Sequence, residues 1–472
     1  MPTLVAVNAA TTAADENLNL KLNPRPRARF FGEAEYVEKI CRYRYGRGGY
    51  HPVHLADTLD QGRYRVIHKL GHGGFSTVWL CLNTEDARRP TYVAVKVLAA
   101  EDDREVDCRE LRIGLHLRER LTGDQPFCLP LREFRLEGPN GTHICIVYPV
   151  RGPTLGSAMD VFAERQDCAG TVRRLLGQVA TTLDILHKNG VCHGDLRPEN
   201  VFIGLKSLDG LDVPAVYRIL GEPDTHEVTL IRSDHTAESV PRYLVYPVHA
   251  PDISLSYLLP QVYIADFGES FFYEEESPRV TGIPRAYCAP EAVFDNISGP
   301  ASDLWSLGCL FFETRLGCKI IEPADLLCRN DDEYILSLAL ILGRLPESWW
   351  ARWQPRHEYF RPDDDGEYKD EDKDAAANYD EQRKGTHDRL KTQPGKLESF
   401  MPCGLKEPRS IREKIEVSCY SADFEGKELC KAQHMTAMEV SAMADLLKQL
   451  LRYVPGERIS AEDAANHGWY QM

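Results

Sequence analysis

His193-Gly194-Asp195-Leu196-Arg197-Pro198-Glu199-Asn200 is the stretch on which the reading of this chain turns. It sets a carboxylate, a guanidinium and a carboxamide at close offsets: Asp195, Arg197 and Asn200. One such octet can arise by chance. Its weight depends on whether partners stand on either side of it, in a workable order and at workable distances.

Composition bounds the answer first. The chain has 472 residues, enough for two lobes or more, with 43% hydrophobic and 27% charged residues, as in a soluble globular protein. No apolar run reaches the roughly 18 residues of a membrane span. The N-terminus lacks the build of a secretory signal, and Asp15 and Glu16 weigh against a mitochondrial transit peptide. The expected location is cytoplasmic, nuclear or both. The 14 cysteines are scattered singly, without zinc spacing, and Cys81, Cys145 and Cys309 lie in apolar runs as small core residues. A net charge of -16 argues against a general affinity for nucleic acid or anionic lipid. It suits a basic partner, or simply solubility.

Upstream of the octet, residues 64–98 read as strands. Tyr64–Leu70 leads into Gly71-His72-Gly73-Gly74-Phe75-Ser76-Thr77-Val78-Trp79-Leu80. Glycines at 71 and 73 let backbone approach a phosphate with no side chain between. A dinucleotide fold would need a helix next, but Thr77–Leu82 is β-rich, which indicates a hairpin cover. Lys96 then lies within the apolar strand Tyr92–Leu98 and requires an anionic partner. Glu110 on the following helical stretch is the first candidate and Glu105 the rival. His143–Val150 reads as a buried strand that breaks at Arg151-Gly152-Pro153.

Downstream, the order continues. Residues 171–188 place Val172, Leu175, Leu176, Val179, Leu183 and Leu186 at helical spacing ahead of the octet, and Val201-Phe202-Ile203 closes a strand after it. Residues 204–261 form a connection without an assigned role. Asp266-Phe267-Gly268 follows a buried strand, and Ala289-Pro290-Glu291 comes about two dozen residues later. Asp303, near the start of the apolar helix Ser302–Glu313, would cap that helix or reach the backbone of the octet. Residues 354–410 are polar and heavily acidic over 361–374, either a solvated loop or a dock for basic substrates. Residues 436–472 return to helix, with Met438, Met443, Leu446, Leu447, Leu450 and Leu451 apolar, and Arg458 is placed to pair with Glu291.

The N-terminal end is less regular. Residues 1–30 are expected to be a flexible arm and residues 31–63 an extension packing on the body. Arg42–Val53 alternates Arg, Tyr and Gly, which taken alone would suit an RNA contact; the acidic net charge opposes it.

Six elements in this order resemble a eukaryotic protein kinase from about Tyr64 to the C-terminus. The octet matches H-R-D-L-x-x-x-N, and Asp266-Phe267-Gly268 and Ala289-Pro290-Glu291 match D-F-G and A-P-E. The chain is most similar to the serine/arginine-rich protein-specific kinases. That similarity rests on Gly48–Val53, Gly62-Arg63-Tyr64, Lys69–Leu80, His143-Ile144-Cys145 and Asp331–Ile335 before Leu342-Gly343. The resemblance implies an α+β, two-lobed protein kinase fold, with a small β-rich N-lobe over 64–148 and a larger, mainly helical C-lobe over 149–472 that carries insertions 204–261 and 354–410.

It also implies roles. Asp195 would orient a substrate hydroxyl and accept its proton, Arg197 would face the transferring phosphate, and Asn200 and Asp266 would hold Mg²⁺. Lys96, paired with Glu110, would hold the α- and β-phosphates of ATP. Gly71, Gly73 and Ser76 would cover the phosphates, and Leu70, Val78, Ala94 and Tyr148 would line the nucleotide pocket. The Pro149 carbonyl and the Arg151 N–H would meet adenine. Substrates would be basic or Arg/Ser-rich proteins, docked on an acidic groove that includes Glu333; Leu340 stands where a second acid is expected. Direct nucleic-acid or membrane binding is not expected, and a monomer is.

Four positions depart from the pattern. Gly194 replaces the Arg of H-R-D, Arg197 the catalytic-loop Lys, Pro284 the usual Thr and Cys288 an Arg of this kinase group. The expected activity is ATP-dependent phosphorylation of Ser or Thr; the alternative is a pseudokinase that binds ATP or a partner without turnover.

Overall fold

The computed structural model describes residues 45–85, 89–100, 108–123, 125–163, 168–228, 238–274, 281–321, 331–356, 410–421 and 435–472. The acidic run 361–374, Glu105 and the arm 1–30 lie outside the described residues. Contacts divide the chain into two compact units.

The first unit is built on one antiparallel sheet. Its strands are β1 (Thr58–Leu59), β2 (Tyr64–His72), β3 (Ser76–Asn83), β4 (Thr91–Leu98), β5 (Arg132–Gly138) and β6 (Gly141–Pro149), in the order β1-β2-β3-β4-β6-β5. Val, Thr, Trp and Tyr dominate β3 and β4, side chains that pack well on a pleated surface. The β5–β6 hairpin turns over Pro139-Asn140 between the paired Gly138 and Gly141, and Gly141 takes φ +127, which a side chain would resist.

Period two sorts the sheet into two faces. Trp79, Cys81, Val95, Val97, Cys145 and Val147 enter a core with Val53, Leu59, Tyr64, Val66 and Val245. Residues of the opposite parity, Val78, Ala94, Lys96 and Tyr148, share the other face: Val78 pairs with Lys96 and Ala94 with Tyr148. Cys81 and Cys145 are thus core residues with free thiols, and burial pushes the Cys145 thiol up to about 12.

Residues 204–259 belong to this unit and not to the span assigned above to the C-lobe. The reason is visible in their bonds. Tyr92 donates its N–H to Asp209 Oδ1 (3.0 Å) and its hydroxyl to the Leu211 carbonyl (2.7 Å). Tyr217 donates to the Ile67 carbonyl (3.0 Å), and Val245 sits in the sheet's core. Within the segment, the helix Val213–Leu220 starts at Asp212, whose side chain accepts the N–H of Ala215. The strands Thr225–Glu227 and Tyr243–Val245 pair antiparallel.

The described part of the N-terminal extension also packs here. Tyr45 and Tyr50 are only 1% and 3% exposed, so these rings cannot stack on RNA bases.

The second unit is mainly helical. The helix Cys168–Lys188 buries Val172, Leu175, Leu176, Val179, Leu183 and Leu186, each worth about 1.5–3 kcal/mol of apolar burial. Pro300–Leu316 is apolar nearly all round and is buried nearly all round. In Ala437–Leu450, Met443, Leu446, Leu447 and Leu450 are buried, but Met438 is 72% exposed: it is the second residue of the helix and faces solvent. Arg458 forms a bidentate pair with Glu291, at 2.7 and 2.6 Å, with both side chains buried. Among the described residues no helix is long and apolar enough to cross a membrane.

Candidate active site

In the second unit the octet runs from the short strand Val191–Cys192, through a loop and the 3-10 turn Pro198–Asn200, into the strand Val201–Leu205. The loop backbone is held by Asp303. Its Oδ1 accepts the Gly194 N–H (2.9 Å), and its Oδ2 accepts the His193 N–H (2.7 Å), with His187 Nε2 also at 2.9 Å. Burial would raise the Asp303 carboxyl, but the bond from His187 and the neighbouring imidazoles and N–H hold it below its ordinary value. Asp303 therefore reaches the octet and does not cap its own helix.

Asp195 has two unlike oxygens. Oδ2 receives Arg197 Nε (3.2 Å) and Asn200 Nδ2 (2.8 Å). Oδ1 is buried and has no hydrogen-bond partner among the described residues. Burial raises the Asp195 carboxyl above the ordinary carboxylate value; Arg197 pulls in the opposite sense. Arg197 also reaches Glu199 through a terminal guanidinium nitrogen (3.3 Å), so its planar fork spans two carboxylates, which an ammonium point charge would do less well.

Asn200 commits Nδ2 to Asp195, bonding its carbonyl oxygen as well (2.7 Å), which leaves Oδ1 as the atom that can ligate a cation. The Ala265 N–H donates to the Asn200 carbonyl (2.9 Å), so the chain leading to Asp266 is anchored to the octet. Asp266 itself adopts φ 65, ψ 71, the left-handed region, a strain of about 1–2 kcal/mol that surrounding structure must maintain. No group of three or more His, Cys, Asp or Glu suited to a metal occurs among the described residues. An Asn and an Asp fit Mg²⁺ all the same, because that ion is commonly held by one or two protein oxygens together with substrate phosphates.

In the first unit, Lys96 Nζ contacts both Glu110 oxygens, at 2.9 and 2.8 Å. Tyr148 donates its hydroxyl to the same Glu110 carboxylate, a partner that spacing alone did not reveal. Gly71 pairs with Val78 after a bulge that contains Leu70, and the Gly73 N–H donates to the Ser76 carbonyl (2.8 Å). A Cβ built on Gly71 or Gly74 meets nothing, so the loop has open space on those sides. Pro149 ends β6, and Arg151 follows in irregular backbone.

The departures acquire physical form. Gly194 has φ +78, and a Cβ there would lie 2.6 Å from the Glu269 carbonyl oxygen, so this backbone excludes an Arg. Pro284 offers no hydroxyl; its carbonyl accepts the N–H groups of Tyr287 and Cys288. Arg285 donates to Cys288 Sγ (3.7 Å) and pairs with Asp331 (2.9 Å). Asp332 receives the Trp353 indole N–H (2.9 Å). The acids at the start of Asp331–Leu342 are thus partly engaged.

A carboxylate in this setting and an Asn that can ligate in one unit, and a lysine–glutamate pair on a glycine-turn sheet in the other, are features of the protein kinase class. The protein kinase domain family model matches residues 64–209 and 255–470, most of the chain, and the chain belongs to that family. The unmatched 210–254 falls within the segment set apart above as 204–261. The chain is similar to the serine/arginine-rich protein-specific kinases. It is 28% identical to the serine/threonine-protein kinase SRPK of Physarum polycephalum over 67% of this chain and 75% of that one. It is 36% identical to protein kinase dsk1 of Schizosaccharomyces pombe over 42% of this chain and 38% of that one. With the human SRSF protein kinase 3 it shares 35% identity over 34% and 28% of the two chains. The matches thus span well under half of the fission-yeast and human relatives.

Proposed function

We propose that this chain transfers the γ-phosphate of ATP to serine, and less readily threonine, in basic or Arg/Ser-rich protein substrates. The observation that carries this is the asymmetry of Asp195: Oδ2 is fixed by Arg197 and Asn200, while Oδ1 has no partner among the described residues and is the oxygen left to receive a hydroxyl proton. Its raised pKa makes it a better proton acceptor than an ordinary carboxylate. Lys96, held by Glu110, neutralises the α- and β-phosphates, and Arg197 faces the phosphate in transfer. Asn200 and Asp266 hold Mg²⁺, which supplies further charge neutralisation when bound. The strand-rich unit is the nucleotide lobe, with Gly71 to Ser76 covering the phosphates, Leu70, Val78, Ala94 and Tyr148 lining the pocket and Pro149 and Arg151 meeting adenine; the helical unit is the catalytic lobe.

The substrate class rests on the similarity to a kinase named for SRSF proteins and on the net charge of -16, which favours cationic peptides. A cytoplasmic or nuclear monomer without direct nucleic-acid or membrane binding accords with this reading. The pseudokinase alternative gains no support from relatives that are themselves named as kinases.

The test is Mg²⁺·ATP turnover on an Arg/Ser-repeat peptide and a generic basic peptide, with Asp195→Ala as control. Incorporation stronger on the repeat and abolished in the control is expected. Equal incorporation on both peptides would refute the substrate class, and persistence in the control would refute the role of Asp195.

A further inference from the structure

The glycine turn between β2 and β3 is not tied down by its own strands alone. Tyr50, 23 residues upstream, donates its hydroxyl toward the Gly73 carbonyl, with the Gly74 carbonyl at 3.1 Å. These are backbone acceptors at the tip of the turn, so the bonds fix the loop's path whatever its side chains do. The Phe75 carbonyl, next along, accepts the Ala99 N–H (2.8 Å), and the Ala100 N–H donates to Gly49 (2.9 Å).

Tyr50 is itself held from behind. Its ring meets Tyr45 edge-on at 5.6 Å and packs with Val240 and Leu244 from the segment 204–259. The buried Asn140 donates to the carbonyls of both Tyr50 and Ser239, at 2.6 and 2.8 Å, and accepts the Gly48 N–H (2.9 Å). The hydroxyl is therefore presented to the loop by three separate stretches of chain, with little freedom of its own.

We infer that Tyr50 is a positioning residue for nucleotide binding: it holds the glycine turn in its phosphate-covering path, and the segment Ser239–Leu244 sets Tyr50. This rests on the proposed nucleotide role of the turn. A turn of three glycines in four residues has a large entropy to lose on closing over a ligand, and a tether made beforehand reduces that loss. The tether acts on ground-state binding more than on the chemical step, so it moves KM and leaves kcat largely in place.

The experiment compares Tyr50→Phe with Tyr243→Phe in the full chain. Phe keeps the ring in its cluster and removes only the hydroxyl. Tyr243 supplies the control: its hydroxyl accepts the Leu55 N–H (3.0 Å), a bond between the same extension and segment but away from the turn. Tyr50→Phe should raise the Kd and KM for Mg²⁺·ATP roughly two- to ten-fold, the worth of one hydrogen bond, with kcat within about twofold. Without nucleotide, amide exchange over residues 71–76 should quicken. Tyr243→Phe should do neither. Unchanged Kd and exchange in Tyr50→Phe, or an equal KM rise in Tyr243→Phe, would overturn the inference. So would a Tyr50→Phe loss of Tm and kcat at constant KM, the mark of a purely structural residue. Failure of the wild-type chain to bind Mg²⁺·ATP would overturn the nucleotide reading itself, and the exchange result would then report only on the tether.

Discussion

Asp303 Oδ1 accepts the backbone N–H of Gly194 at 2.9 Å, and this bond is possible because Gly194 takes φ +78. The same conformation brings the Glu269 carbonyl oxygen to 2.6 Å from where a Cβ would lie. An Arg at this position of the octet is therefore opposed by a steric reason. Gly194→Ala is expected to cost about 1–2 kcal/mol in the left-handed region alone. Displacing the adjacent Asp195 by about 1 Å should lower kcat on the order of a hundredfold. Urea unfolding and steady-state kinetics check both; a variant with wild-type kcat would contradict the packing described.

Arg197 sets where Asp195 titrates. Burial raises the Asp195 carboxyl and the Arg197 charge opposes that rise. Removing the charge in Arg197→Gln lets the pKa climb further. Because the base must be deprotonated to act, the acid limb of the kcat/KM profile moves to higher pH in the variant. A pH–rate series checks the direction, and an acid limb that stays in place or moves down would count against Asp195 as the base.

Arg458 and Glu291 stand 167 residues apart in the chain and close a buried bidentate pair. Arg458→Met leaves the Glu291 charge buried without its counter-ion, at a cost of about 3–5 kcal/mol. Glu291→Leu combined with Arg458→Met should recover part of that loss, because no unpaired charge remains. Chemical denaturation of the two variants decides; equal stability of the single variant and the wild type would show that the pair contributes nothing.

His51 gives the first unit an acid sensitivity. Burial, with help from His143 and His54, lowers His51 to about 4, against only a partial upward pull from Asp57. The folded state thus binds a proton less readily than the unfolded chain. Stability is complete above the unfolded value near 6.5 and falls as pH drops from there toward 4, on the order of 1–3 kcal/mol. His51→Phe should flatten that slope in denaturation series at pH 7.5 and 5, where the wild type weakens; an unchanged slope would assign the sensitivity elsewhere.

Much of this was legible in the linear chain because it depends on local chemistry. The parity of Val78, Ala94, Lys96 and Tyr148 follows from strand period, and the helix Cys168–Lys188 from the spacing of its apolar residues. The octet, Asp266-Phe267-Gly268 and Ala289-Pro290-Glu291 are contiguous, so no folding is needed to see them. Family membership could be argued from their order alone.

Tertiary structure decided what depends on distant partners. It chose Glu110 for Lys96 and added the Tyr148 hydroxyl, turned Asp303 toward Gly194 and His193, and exposed Met438 where helical spacing put it on the apolar side. It also joined residues 204–259 to the strand-rich unit and brought Tyr50 to the glycine turn. None of these has a local signal. A hydrogen bond or a buried ring is fixed by where two stretches of chain meet, and that meeting is set by burying whole faces of sheet and helix, not by the spacing of any few residues.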